Sequence, residues 1–291
     1  AVYPPQTLRE QNIKTIVEYS GRICKALDIR GLMNIQYVIC EDEVYVLEVN
    51  PRASRTVPYL SKITGIQMVK VATKIFLGKT LRKMELPTGL LPQTKHVAVK
   101  SPVFSFAKLL DVDVSLGPEM KSTGEIMGID YSYARSLYKS LVSSGISIPA
   151  KGSLLVTIAD RDKDEALPLI KGFWKLGYNI HATHGTAAFL TGNGIKVKPV
   201  NKIGEKKPTI LDLIYSGKVN FLINTISPDK EAEKDGVKIR RAAVELNIPC
   251  LTSLDTARAL LFSVTSLKQD GGESFTSLPI HEYHRSAASA G

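Results

Sequence analysis

Apolar residues Ile13, Ile16, Val17, Ile23 and Leu27 recur at helical spacing, so the pattern predicts a helix over 8–27, preceded by Pro4-Pro5. Two alternating runs follow, LMNIQYVIC (32–40) and VYVLEVN (44–50), joined by Glu41-Asp42-Glu43. They predict a β-hairpin with a three-residue polar loop, ended by Pro51, which cannot donate to a strand ladder. A second helix is predicted over 68–77, closed by Gly78. Between 80 and 150, prolines and glycines break the pattern, leaving one strand in KHVAVKSPVF and one helix over 132–145. Residues 148–152 read as a linker. Beyond it the texture changes. SLLVTIA (153–159), YNIHAT (178–183), IKVKPV (195–200), VNFLINTI (219–226) and PCLTS (249–253) are short strand-like runs. Helical stretches at 163–177, 186–191, 209–216, 235–247 and 255–268 separate or follow them, with Pro168 in the first turns of the first. Strands alternating with helices predict right-handed βαβ units and a doubly wound parallel sheet. The Gly-, Ser- and Ala-rich end reads as a frayed tail. The expected division is an α/β chain with domains at 1–150 and 151–270 and a tail at 271–291.

Composition narrows the class. Hydrophobic residues at 44% and charged residues at 23% of the 291 are those of a globular chain and exclude disorder. A net charge of +10 fits nucleic acid, an acidic partner or phosphorylated small molecules. Nucleic acid is the weakest of these, because no basic stripe or basic–aromatic interleaving appears. Cys24, Cys40 and Cys250 form no metal-ligand spacing, and Cys40 and Cys250 read as core thiols. His181 and His184 lack a third ligand, and Asp160, Asp162 and Asp164 lack the glycine and glutamate of a calcium loop. No apolar run reaches the roughly 20 residues that span a bilayer. The cytoplasm is the expected location, without membrane or nucleic-acid partners, and a homo-oligomer is left open. The chain begins at AVYPPQ, which suggests a fragment of something longer.

Two constellations carry chemistry. In the hairpin, Glu48 and Asn50 are two apart and face one side. With a three-residue loop, paired residue numbers sum to 84 and Gln36 lies opposite Glu48; a loop of two or four residues shifts this by one. Three oxygen-bearing side chains would then meet at a strand end, as hard divalent cations prefer, with Arg52 and Arg55 in reach of phosphate oxygens. An ordinary exposed hairpin face would use the same residue types. The second constellation is Thr183-His184-Gly185-Thr186, between a strand and a helix. Helix N–H groups, two hydroxyls and a glycine make an anion site at the carboxyl edge of a sheet. Simple N-capping by either threonine is the alternative. Lys163, Lys202 and Asn224 stand at equivalent strand ends.

GLMNIQYVI followed by VYVLEVNPRASRTVPYLSKITG resembles the ATP-grasp domain of the carbamoyl phosphate synthetase large subunit, as do VYPPQTL and LGPEMKSTGEIMGID. The resemblance implies that Gln36, Glu48 and Asn50 hold Mg²⁺ or Mn²⁺ on ATP, with Arg52 and Arg55 near the transferred phosphate. ATHGTAAFL, VNKI, INTIS and VKIRRAAVELNIPCLTS resemble the methylglyoxal synthase-like domain, which in that synthetase is the allosteric module. It implies that Lys163, Thr183, Thr186, Lys202 and Asn224 hold an effector of the UMP, IMP or ornithine class. Ile226 stands where the nucleotide-regulated pattern has a threonine. The order of the two resemblances implies the end of the second synthetase half, which phosphorylates carbamate for pyrimidine and arginine synthesis beside a glutaminase small subunit. No glycine-rich phosphate-covering loop occurs in 1–31, so the chain alone is expected to be inactive. The competing readings are a methylglyoxal synthase-like lyase and an effector-binding module without catalysis. The lyase needs a glycine-rich aspartate segment, but the chain has Ser227-Pro228-Asp229-Lys230.

Overall fold

The computed structural model describes residues 1–106, 114, 116, 119–227, 229–269 and 277–288. It divides into two compact units. One comprises Ala1–Val99, Asp130–Ser132 and the described part of Phe275–Gly291; the other comprises Lys100–Ile129 and Tyr133–Ser274.

In the first unit, β1 (Val2–Tyr3) precedes α1 (Glu10–Ala26). The hairpin follows as β2 (Asn34–Cys40) and β3 (Glu43–Asn50), then α2 (Thr56–Thr64) and α3 (Met68–Phe76). Strand β1 pairs antiparallel with the start of β4 (Val97–Val103), Val2 opposite Val99. Ile63, Ala72, Ala98 and Val99 are buried here, and Tyr59 Oη donates to the Ala98 carbonyl at 2.7 Å.

The second unit continues with β5 (Gly124–Asp130, whose last residue falls in the first unit) and α4 (Tyr133–Ser143). Gly128 is needed where it stands, because a Cβ there would lie 2.1 Å from the Ser136 carbonyl oxygen. Helix α4 packs against α9, which is why 133–150 joins the unit that follows it in sequence. The remaining elements alternate as expected: β6 (Ser153–Thr157), α5 (Lys163–Lys175), β7 (Asn179–Thr183), α6 (His184–Gly192), β8 (Val197–Val200), α7 (Ile210–Tyr215), β9 (Phe221–Asn224), α8 (Lys230–Glu245), β10 (Cys250–Leu251) and α9 (Leu254–Gln269). The five strands form one parallel sheet in the order β10-β9-β6-β7-β8. Leu154, Leu155, Val156 and Ile223 have no exposed surface, as strands covered on both faces require. Phe173, Tyr178 and Phe221 meet edge to face at 5.2–5.9 Å beneath α5.

Several expectations are corrected. Cys40 is exposed, since it ends a two-stranded sheet at its turn; Cys250 is half-buried, and burial of its thiol pushes the pKa up to about 12. The tail is not simply frayed: α10 (Ile280–Ala288) forms in the first unit with Tyr283 buried. Lys121, Ser122 and Gly124 of the stretch LGPEMKSTGEIMGID are described, while 117 and 118 lie outside the described residues.

Candidate functional sites at the hairpin and the sheet edge

The hairpin reaches the expected pairing by another route. Its loop holds two residues, Glu41 and Asp42, both at positive φ (49° and 67°) as a type I′ turn requires. Cys40 therefore opposes Glu43, and pairing sums to 83 as far as Tyr37 opposite Val46. A register shift between Gln36 and Tyr37 then leaves Leu47 over, and Gln36 opposes Glu48 after all. Glu48 Oε1 accepts from Gln36 Nε2 at 2.6 Å and from Asn50 Nδ2 at 2.8 Å. The three side chains thus converge on one carboxylate oxygen at the strand end. Both amides here turn N–H toward that oxygen; rotating each by half a turn substitutes oxygen for nitrogen and gives three oxygen donors. That donor set fits Mg²⁺ or Mn²⁺ as a carrier of phosphate, because a single carboxylate leaves charge and coordination positions for the nucleotide. Among the described residues no cluster of three His, Cys, Asp or Glu forms a metal site. Arg52 and Arg55 are exposed just beyond Pro51, with Arg52 Nη1 donating to the Ala53 carbonyl at 3.1 Å.

At the sheet edge, a cavity of about 360 Å³ lies at the carboxyl ends of β6, β7, β8 and β9. In this order of strands the crevice opens beside the reversal between β6 and β9, where doubly wound sheets bind ligands. Lys163, Thr183, Thr186, Lys202 and Asn224 all line it. Thr183 is the N-cap residue of α6, yet its side chain makes no capping hydrogen bond, so capping does not account for that hydroxyl. Lys163 Nζ lies 2.7 Å from Asp160 Oδ1; this hydrogen bond, then the charges of Lys163 and Lys202, hold the Asp160 carboxyl below the usual carboxylate range. Thr186 and Asn224 are buried. Thr225 and Ser227 also line the crevice, whereas Ile226 does not. Asp229 Oδ1 accepts from the Ala232 N–H at 3.0 Å, as an N-cap of α8.

Three participants escape the sequence. Arg240 reads as half of a solvated Arg-Arg pair, but it has no exposed surface. Its Nη1 donates to Asn224 Oδ1 at 2.8 Å and its Nη2 pairs with Glu233. Asn224 Nδ2 donates to Thr157 Oγ1 at 2.6 Å. Of the three, Thr157 carries a signal that could have found it: it ends the run SLLVT as Asn224 ends FLIN, and the two are register partners. A second cavity, of about 650 Å³, lies among Leu141, Ile146, Ile248 and Cys250; it gathers none of the expected site residues.

Two family models match separate parts of the chain. Residues 1–84 match the family model described as carbamoyl-phosphate synthase L chain, ATP binding domain. Residues 165–252 match that of the MGS-like domain. Among solved structures, the chain is similar to methylglyoxal synthase from Elizabethkingia anophelis NUHP1, at 20% identity and TM-score 0.33 over 39% of this chain and 79% of that one. It is also similar to ForH, at 19% identity and TM-score 0.28 over 48% and 88%. An ATP-binding domain of the L chain followed by an MGS-like domain matches the C-terminal part of the carbamoyl phosphate synthase large subunit.

Proposed function

We propose that the chain serves the ATP-dependent phosphorylation of carbamate by a glutamine-hydrolysing carbamoyl phosphate synthetase, and that its MGS-like domain binds the effector that regulates the step. The observation that carries this reading is the gathering of Lys163, Thr183, Thr186, Lys202 and Asn224 on one crevice at the sheet's carboxyl edge. Two cations and two hydroxyls facing one cavity suit a phosphate or carboxylate. In the hairpin, Gln36, Glu48 and Asn50 would hold Mg²⁺ or Mn²⁺ on ATP, and Arg52 and Arg55 the phosphate in transfer. The metal supplies charge neutralisation at the phosphates when bound. Glu48 brings the one carboxylate of that set, beside which Gln36 and Asn50 already stand, and the two arginines bring permanent positive charge to the same strand end. Carbamoyl phosphate would feed pyrimidine or arginine synthesis in the cytoplasm, with a glutaminase small subunit supplying ammonia.

Effector binding is the part that this chain can test directly. Calorimetric titration with UMP, IMP and ornithine is expected to give binding by at least one of them, weakened by Thr183→Ala and by Lys202→Ala. Binding that ignores both substitutions, or no binding by the folded chain, would count against the crevice. Ile226→Thr is expected to leave the affinity within about threefold, because position 226 does not line the cavity. The purified chain is expected to make no carbamoyl phosphate by itself, and robust synthesis would overturn that part.

A further inference from the structure

The crevice contains one hydrogen-bond chain whose direction is fixed from inside the protein. An arginine has donors only. Arg240, fully buried on α8, therefore forces the oxygen end of the Asn224 amide toward itself, at 2.8 Å. The amide nitrogen must then face the other way, and it donates to Thr157 Oγ1 at 2.6 Å. Thr157 accepts there, so its own proton is left to point onward, and no protein acceptor for it exists among the described residues. Thr157 lines the crevice. Every proton in the chain runs outward from Arg240.

Two features hold the guanidinium in place. Glu233, two helical turns before Arg240 on the same face, pairs with Nη2, while its Oε2 accepts from the Ser227 N–H at 3.1 Å. Gly236 stands between them in the helix, where glycine is intrinsically unfavourable. A Cβ at 236 would lie 2.9 Å from Arg240 Nη1 and 3.7 Å from Asn224 Oδ1. The glycine thus makes room for the charged group behind the asparagine.

We infer that Arg240 is a positioning residue for anion recognition: through Asn224 it polarises Thr157, so that this hydroxyl is presented to the ligand as a donor beside Lys163 and Lys202, in a crevice that Asp160, Asp229, Glu233 and Asp235 also line. This rests on the reading of the crevice as an anion site and adds what gives it its sign. Without the arginine the amide is free to turn, its oxygen then accepts from Thr157, and the hydroxyl faces the crevice with its lone pairs instead of its proton. The ligand group that follows at this position is a hydrogen-bond acceptor, as the oxygens of an ionised phosphate or carboxylate are.

The test reverses the chain without emptying it. In Asn224→Asp the carboxylate accepts from Arg240 and also from Thr157, whose proton then turns away from the crevice. Calorimetry with inorganic phosphate and with UMP should show affinity at least about tenfold weaker, the worth of a hydrogen bond to a charged group. The melting temperature should be equal to or above that of the unmodified chain, which a merely structural role would not give. Thr157→Val should lose a similar factor. Undiminished binding by Asn224→Asp would overturn the inference. If the unmodified chain binds neither probe, the crevice reading fails, and the orienting role is decided by NMR of the Asn224 side-chain amide. Two distinct, slowly exchanging protons are expected, merging or moving in Arg240→Lys; signals unchanged in that variant would overturn the role of Arg240.

Discussion

His96 is 1% exposed, its Nε2 is 3.2 Å from the Ile63 carbonyl, and its ring meets that of Tyr283 edge-on at 5.7 Å. A carbonyl only accepts, so the bond places a proton on Nε2 of the neutral ring. Burial pushes its pKa below the ordinary 6.5; the Ile63 and Tyr283 backbone bonds oppose this, and the nearby charge of His284, 6.3 Å away between rings, adds to it. As pH falls below about 6.5, the unfolded chain takes up a proton that the folded one resists, so stability declines there and is fully present above it. Thermal unfolding of the first unit is therefore expected to weaken between pH 7 and 5, and His96→Gln, which can still donate to Ile63, should flatten that slope. A slope unchanged by the substitution would assign it to other groups. His96 and Arg240 share a lesson. A lone histidine in KHVAVK and an Arg-Arg pair in VKIRRAA have no spacing that marks them. Their burial is set by Ile63 and Tyr283 in one case and by Glu233 and Asn224 in the other, through tertiary contacts. Lys163, Thr183 and Lys202 were legible because strand ends can be counted along the sequence, and the parallel sheet brings those ends to one edge.

At the scale of elements, the hairpin shows how a correct pairing can follow from an incorrect loop. Alternation along 32–40 and 44–50 specifies faces but not the turn, and a single bulge is invisible to it. Leu47, the residue left over, is 62% exposed, so extruding it disturbs no packed contact. The turn itself is strained: Glu41 and Asp42 both occupy the left-handed region, which ordinary side chains resist. Glu41→Asn is expected to stabilise the hairpin by ~0.5–1 kcal/mol, while Asp42, which pairs with Arg9 and whose carbonyl accepts from Asn12 Nδ2, is left intact. Calorimetric melting checks this, and a loss of stability would mean that the turn is not the strained point. Helix α2 went unread because TVPYLSKIT carries Pro58, which normally argues against a helix; it stands in the first turn, where its missing N–H costs nothing. Helix α10 was obscured by the Ser and Ala in its sequence; among its described side chains Tyr283 is deeply buried.

On the scale of the whole molecule, the two units differ in how they are held. The second has a five-stranded sheet covered on both faces, with Leu154, Phe173, Ala243 and Leu260 without exposed surface. The first rests on a two-stranded hairpin, one short pairing of β1 with β4 and scattered buried residues, while Tyr45, Leu47, Val69, Phe76 and Leu77 are exposed. A hairpin alone is marginally stable, whereas burial of apolar strands on both faces is the main source of stability. Heating should therefore give two transitions, the first unit melting at the lower temperature. A ligand stabilises only the structure that binds it: at 100 times its dissociation constant the gain is about 2.7 kcal/mol, several degrees for a unit of this size. An anionic effector seated among Lys163, Thr183, Thr186 and Lys202 should accordingly raise the upper transition and leave the lower one where it was. Mg²⁺ or Mn²⁺ added without effector should leave the upper one unmoved. Scanning calorimetry with phosphate or UMP at ~100-fold above its dissociation constant separates these cases. Movement of the lower transition alone would place the effector away from the sheet edge and end the assignment of the crevice.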